Sequence, residues 1–194
     1  MKTIEVPAYI KGLIFDCDGT LIDSMPLHMK AWEHAITQAD GEWDYDFIFS
    51  KKGMQGKDIL ASYNESFGMN LDVEYTARLK QEYFRKYCAE MKPIDAVVNV
   101  VHRYASRLPM AIASGGSREN VLLSLELIGI KEYFTVIITA DDKDVPPKPS
   151  PEIFLEAARR IHVNPQLCQV FEDGDIGLKA ARMAGMVATD IRES

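Results

Sequence analysis

Short apolar runs and helical apolar stripes alternate along much of this chain, and one long helical stretch breaks the alternation early. The first run lies within residues 10–17 and reads as a strand centred on Gly12-Leu13-Ile14-Phe15. Met29, Trp32, Ala35, Ile36 and Ala39 then recur at the 3.6-residue spacing of a helix, with Pro26 near its first turn. The same spacing predicts further helices over residues 54–90, carried by Ile59, Leu60 and Tyr63 and then by Leu79, Tyr83, Phe84 and Tyr87. Polar links around 53–56 and 64–72 separate them, and no strand is predicted between residues 22 and 105.

Beyond that block the pattern changes. Met110-Ala111-Ile112-Ala113 is a short strand ending at Ser114-Gly115-Gly116, and a helix with Val121, Leu125 and Ile128 follows, stopped near Gly129. Val136-Ile137-Ile138-Thr139 is another strand. Ser150 is expected to cap a helix with Pro151 in its first turn and Ile153, Phe154, Ala157 and Ile161 on one face. Residues 167–171 form the next strand and 176–184 the next helix, with Gly185 as its C-terminal cap. A last apolar stretch, 186–191, closes the chain.

Strand and helix in steady alternation mean βαβ units and a parallel sheet. The expected fold class is α/β: a doubly wound parallel sheet built from residues 1–22 and 92–194, with residues 23–91 inserted after the first strand as a helical cap domain. In such sheets ligands bind beyond the C-terminal ends of the strands. Asp16 and Asp18 follow the first strand, Ser114 and two glycines the second, Asp141-Asp142 and then Lys148 the third, and Glu172-Asp173-Gly174 the fourth.

Composition narrows the classes. The 194 residues are 47% hydrophobic, enough for a packed core, and the net charge of −7 argues against a nucleic-acid surface. No apolar stretch approaches the ~20 residues that span a bilayer. Glu5 and Pro7 interrupt what a signal peptide would keep apolar, so a cytoplasmic, monomeric protein with no membrane partner is expected. Cys17, Cys88 and Cys168 are scattered, which indicates neither a disulfide framework nor a zinc site, and Cys17 reads as a small buried hydrophobe.

The strand-end groups suit phosphate-ester chemistry. Asp16 can attack phosphorus and form an acyl phosphate, splitting one hard displacement into two. Asp18 can give a proton to the leaving oxygen and then take one from water. Asp16 and Asp173, with Glu172 nearby, are oxygen ligands that suit Mg²⁺. Ser114 and the Gly115 and Gly116 amides can hold phosphoryl oxygens, and Lys148 adds a fixed positive charge.

In chain order these residues resemble the motifs of the haloacid dehalogenase-like phosphotransferases. They are Phe15-Asp16-Cys17-Asp18-Gly19-Thr20-Leu21, Ala113-Ser114-Gly115, Lys148-Pro149-Ser150-Pro151-Glu152 and the stretch 171–186. The likeness is strongest to the β-phosphoglucomutase-like branch, which includes small sugar-phosphate phosphatases. It implies Asp16 as nucleophile, Asp18 as acid and base, Mg²⁺ held by Asp16, the Asp18 carbonyl and Asp173 with Glu172 close by, and Ser114 and Lys148 as phosphate ligands. An acid at position 18 points to phosphate esters, because dehalogenases and phosphonatases lack it.

Within the inserted segment, Ser24 and His28 match linker positions of the mutases, and Gln55 and Lys57 fall in the expected substrate loop, 53–58. Gly56 stands where the mutases carry an arginine that grips a second phosphate. The resemblance therefore implies a Mg²⁺-dependent phosphatase of small phosphorylated metabolites, with sugar phosphates as the expected substrates. A β-phosphoglucomutase is the alternative and a non-catalytic binding domain the second alternative. Hinges are expected near 22–25 and 90–94, where Pro93 restricts the chain.

Overall fold

The computed structural model describes residues 4–52 and 54–193. Position 53 of the expected substrate loop and the first three residues of the chain lie outside them. Two compact units divide the chain: residues 1–23 with 92–194, and residues 24–91.

The first unit is built on a five-stranded sheet. Its strands are β1 (Gly12–Phe15), β4 (Met110–Ala113), β5 (Val136–Ile138), β6 (Cys168–Glu172) and β7 (Val187–Asp190), in the order β5-β4-β1-β6-β7. All four pairings are parallel; Leu13 of β1, for example, lies opposite Met110 on one side and Gln169 on the other. The central strands are buried on both faces, which is why β1 and β4 read as unbroken apolar runs without alternation. A separate antiparallel pair joins β2 (Ile22–Asp23) to β3 (Lys92–Pro93), the two places where the chain leaves and re-enters this unit.

Among the described residues its α-helices are α5 (Asp95–Tyr104), α6 (Arg118–Leu127), α7 (Glu152–Arg160) and α8 (Asp175–Met183). Ile153, Phe154, Ala157 and Ala158 of α7 and Ala180 and Ala181 of α8 pack on Ile14, Ala111, Ile138 and Val170 of the sheet. The small residues on both helices let them approach the sheet closely. Gly129 and Gly185 end α6 and α8 in left-handed conformations that favour glycine.

The described residues of the second unit carry helices and no strand: α1 (Met25–Gln38), α2 (Tyr45–Ser50), α3 (Gly56–Phe67) and α4 (Val73–Tyr87). Met29, Trp32 and Ile36 of α1 form its core with Ile48, Ile59, Leu60, Tyr63 and Leu71. Asp44 and Asp72 cap α2 and α4 by accepting from the Phe47 and Tyr75 amides, and the Tyr63 hydroxyl donates to the Glu42 carbonyl. No helix among the described residues is long and apolar enough to cross a membrane.

Four expectations change. The first strand covers 12–15 and not 10–17, so Asp16 and Cys17 already belong to the turn that leads to Asp18. Two two-residue strands occur inside the range in which none was predicted. Residues 95–104, given no element by the spacing, are helical, with Val97, Val98, Val100 and Val101 buried. Pro151, not Ser150, occupies the N-cap position of α7; the Ser150 hydroxyl accepts from the Glu152 amide at 3.4 Å without capping the helix.

Candidate active site

The site begins where β1 ends. The Asp16 amide donates to the Phe171 carbonyl at 3.1 Å, which fixes the first residue past β1 against β6. Phe15 and Phe171 stack beneath it, ring centres 4.6 Å apart. The chain then turns: the amides of Thr20 and Leu21 both donate to the Cys17 carbonyl, and Gly19 takes a φ of +82° that an L side chain rarely adopts. A side chain at Gly19 would also strike the Asp173 carboxylate, 2.6 Å from its Cβ position. This turn brings the Asp18–Thr20 segment to Asp173, and the Thr20 hydroxyl donates to Asp173 Oδ1 at 3.4 Å.

Lys148 joins the acids. Its Nζ lies 2.7 Å from Asp16 Oδ1 and 2.5 Å from Glu172 Oε1, and these three side chains are at most 9% exposed. Glu172 is held on its second oxygen as well, by the Gly174 amide at 2.7 Å. One carboxylate oxygen each from Asp16, Glu172 and Asp173 falls within 4.8 Å of the others.

The electrostatics follow from burial. Burial pushes the Asp16 carboxyl well above the usual carboxylate range; Lys148 opposes this, while Glu172 and Asp173 add to it. Burial works against the Lys148 charge too, but Asp16 and Glu172 outweigh it and hold the ammonium protonated. The geometry sets three clustered carboxyls against the Lys148 ammonium, and the Asp16 value, raised by burial and by these acidic neighbours, is what a local shortage of positive charge produces. The donors are hard oxygens, so the residues fit a divalent cation of the Mg²⁺ class.

The β4 end supplies the anion side. Ser114 is buried, its amide donates to the Ile138 carbonyl, and its hydroxyl accepts from the Gly116 amide at 3.0 Å. Ser117, not Ser114, caps α6, so Ser114 stays in the loop itself. Gly115 lies between them. A Cβ at Gly116 would lie 3.0 Å from Asp18 Oδ2, so this loop and the turn after β1 share one space. Asp16, Asp18, Ser114, Gly115, Lys148, Glu172 and Asp173 thus gather at one end of the sheet.

Other residues fall elsewhere. Cys17 is buried, and burial pushes its thiol well up, with Asp18 and Asp16 adding to the effect; it packs as a hydrophobe. Asp141 accepts from the Arg118 amide at 2.7 Å, and Asp142 is bound by Arg118 and the Thr139 amide, each at 2.9 Å. Both therefore tie the loop after β5 to α6.

In the helical unit, Ser24 is buried and its backbone carbonyl accepts from the His28 amide. His28 stacks on Phe84 at 4.5 Å, and Lys80 donates to its Nδ1 at 2.9 Å. The spacing did not single out Lys80; its place 52 residues from His28 leaves no local signal. Gln55 precedes α3 and is exposed, and Lys57 pairs with Glu74 at 2.6 Å in the open. At Gly56 a Cβ would make only ordinary contact with Trp32, at 3.5 Å, so packing does not demand glycine there.

Comparison with known proteins places these features in a wider set. A family model described as haloacid dehalogenase-like hydrolase matches residues 13–190. The fructose-1-phosphate phosphatase of Escherichia coli is 35% identical over 181 residues, covering 93% of this chain and 96% of its own. The β-phosphoglucomutase of Bacillus subtilis is 29% identical, covering 94% and 83%. Among solved structures, CbbY from Rhodobacter sphaeroides in complex with phosphate superposes with a TM-score of 0.80 at 26% identity, covering 92% of this chain and 84% of its own.

Proposed function

The chain belongs to the haloacid dehalogenase-like hydrolase family, and from that premise we propose that it is a phosphoric monoester hydrolase of small phosphorylated sugars, using Mg²⁺ and an aspartyl-phosphate on Asp16. The observation that carries this reading is the buried ion cluster in which Lys148 grips both Asp16 and Glu172 beside the Ser114 loop.

Asp16 attacks phosphorus, the new bond forming to a carboxylate oxygen while the bond to the ester oxygen breaks. Asp18, in the turn beside the Ser114 loop, gives its proton to that leaving oxygen. It then takes a proton from the water that cleaves the acyl phosphate, so both partial reactions return it to its starting state. Ser114 and the Gly115 amide hold phosphoryl oxygens. Lys148 keeps the Asp16 carboxylate aimed and offsets the charge gathering on the transferred group. Asp16, Asp173 and the Asp18 carbonyl would hold Mg²⁺, which supplies charge neutralisation between the carboxylates and the anionic ester.

The sugar-phosphate class is supported by the Escherichia coli relative, a fructose-1-phosphate phosphatase by name. Gly56 supports hydrolysis over mutation, since a mutase must hold a second phosphate and this position offers no side chain for it. We read the helical unit as the cap that selects the sugar, with His28, Ser24, Gln55 and Lys57 as the residues it offers.

Phosphate release from a panel of sugar phosphates and nucleotides, with Mg²⁺ and with EDTA, tests this reading. Metal-dependent release concentrated on one or two sugar phosphates is the expected result. No release from any ester overturns it.

A further inference from the structure

Gly177 lies in the first turn of α8 and is buried, where glycine weakens a helix relative to alanine. Its conformation is ordinary, so the backbone does not require glycine. The reason is space. A Cβ at this position would fall 1.9 Å from Glu172 Oε1 and 2.2 Å from its carboxyl carbon, distances that no side chain can hold. Glu172 has little freedom to yield. Its Oε1 accepts from Lys148 at 2.5 Å and its Oε2 from the Gly174 amide at 2.7 Å, within a nearly closed interior.

We propose that Gly177 is a positioning residue: it leaves the room in which Glu172 folds back under α8, and through Glu172 it holds Lys148 on Asp16. The proposal rests on the phosphatase reading for its effect on turnover, but its geometry stands apart from that reading. A methyl group at 177 displaces the Glu172 carboxylate, and Lys148 then loses one of its two anchors. Displacements of this kind cost about 10–100-fold in turnover when they misplace a reacting group.

The test is a double-mutant cycle of G177A with E172A, read by thermal unfolding and by phosphate release from p-nitrophenyl phosphate. In the natural background, G177A is expected to lower Tm and to lower kcat far more than it alters KM. With E172A present the obstruction is gone and only helix propensity remains, so adding G177A should raise Tm by about 2–4 °C and cost no further activity. A sign reversal in Tm supports the proposal. A fall in Tm of the same size in both backgrounds, or unchanged kcat in G177A, overturns it. If the natural protein releases no phosphate from any ester, the phosphatase reading fails while the Tm cycle still decides whether Gly177 acts through Glu172.

Discussion

Lys148 Nζ lies 2.7 Å from Asp16 Oδ1, joining residues 132 positions apart in a pocket of the fold that excludes most water. The pair is incomplete as a charge balance, because Glu172 shares the same ammonium and Asp173 stands close by. Breaking a buried pair by removing one partner leaves the other charge uncompensated. K148M is therefore expected to lower turnover by about 100-fold or more and to destabilise the fold. Mg²⁺ should recover part of the lost Tm, since a cation can answer the same carboxylates. Unfolding scans in EDTA and in Mg²⁺ check this; an equal Tm loss in both would place the cation elsewhere.

A second prediction concerns acid stability. Hydrogen bonds from Arg159 and Arg160 hold the Glu156 carboxyl down at about 2. Burial raises Asp142, but the Thr139 amide and Arg118 outweigh it and hold its carboxyl below the usual range. Both groups are depressed in the folded state, so their contribution is fully present above about pH 4.3 and is lost as the pH falls through their folded values. Tm should decline between pH 4.5 and about 2.5, and E156Q should flatten part of that decline. An identical slope in E156Q would remove Glu156 from the account.

Cysteine reactivity gives a third. Burial pushes the Cys168 thiol up to about 11 and raises Cys17 as well. Both thiols are neutral at pH 7 whether the chain is folded or unfolded, so the raised values cost nothing there; stability falls as the pH climbs from about 9 through the folded value, because burial penalises the thiolate. Native protein treated with iodoacetamide at pH 8 should take the label at the half-buried Cys88 alone, with Cys17 and Cys168 reacting only after unfolding. Rapid native labelling of Cys17 would mean that the turn after β1 opens far more readily than its hydrogen bonds imply.

Much of the parallel sheet could be read from the chain, because strands buried on both faces are written as short apolar runs such as Met110-Ala111-Ile112-Ala113. The amphipathic helices α1, α3, α4, α7 and α8 were legible from the spacing of residues such as Trp32, Ile36 and Phe154. The helix α5 was not, since Val97, Val98, Val100 and Val101 are β-branched and favour strands by propensity; tertiary packing decided the matter. The β2–β3 pair is two residues long on each side, too short to show any period.

For the site, the rule that ligands gather at strand ends located Asp16, Asp18, Ser114, Lys148, Glu172 and Asp173, which the fold brings together. The contacts themselves were not legible. The sequence offers Glu172 as a metal neighbour; the structure shows it anchoring Lys148 and accepting from the Gly174 amide, a role visible only once the Lys148 loop meets the end of β6. Gly177 carried no signal beyond its place in the motif, because its need for space depends on where Glu172 folds.

The most direct test of the central claim is phosphate release by D16N beside the natural protein, on the best ester of the panel in Mg²⁺, with thermal unfolding measured on both. An uncharged amide cannot act as the nucleophile, so turnover should fall by about 1,000-fold or more while the protein remains folded. Metal-dependent hydrolysis by a clean D16N preparation at a rate near that of the natural protein would contradict the assignment of Asp16, and with it the aspartyl-phosphate.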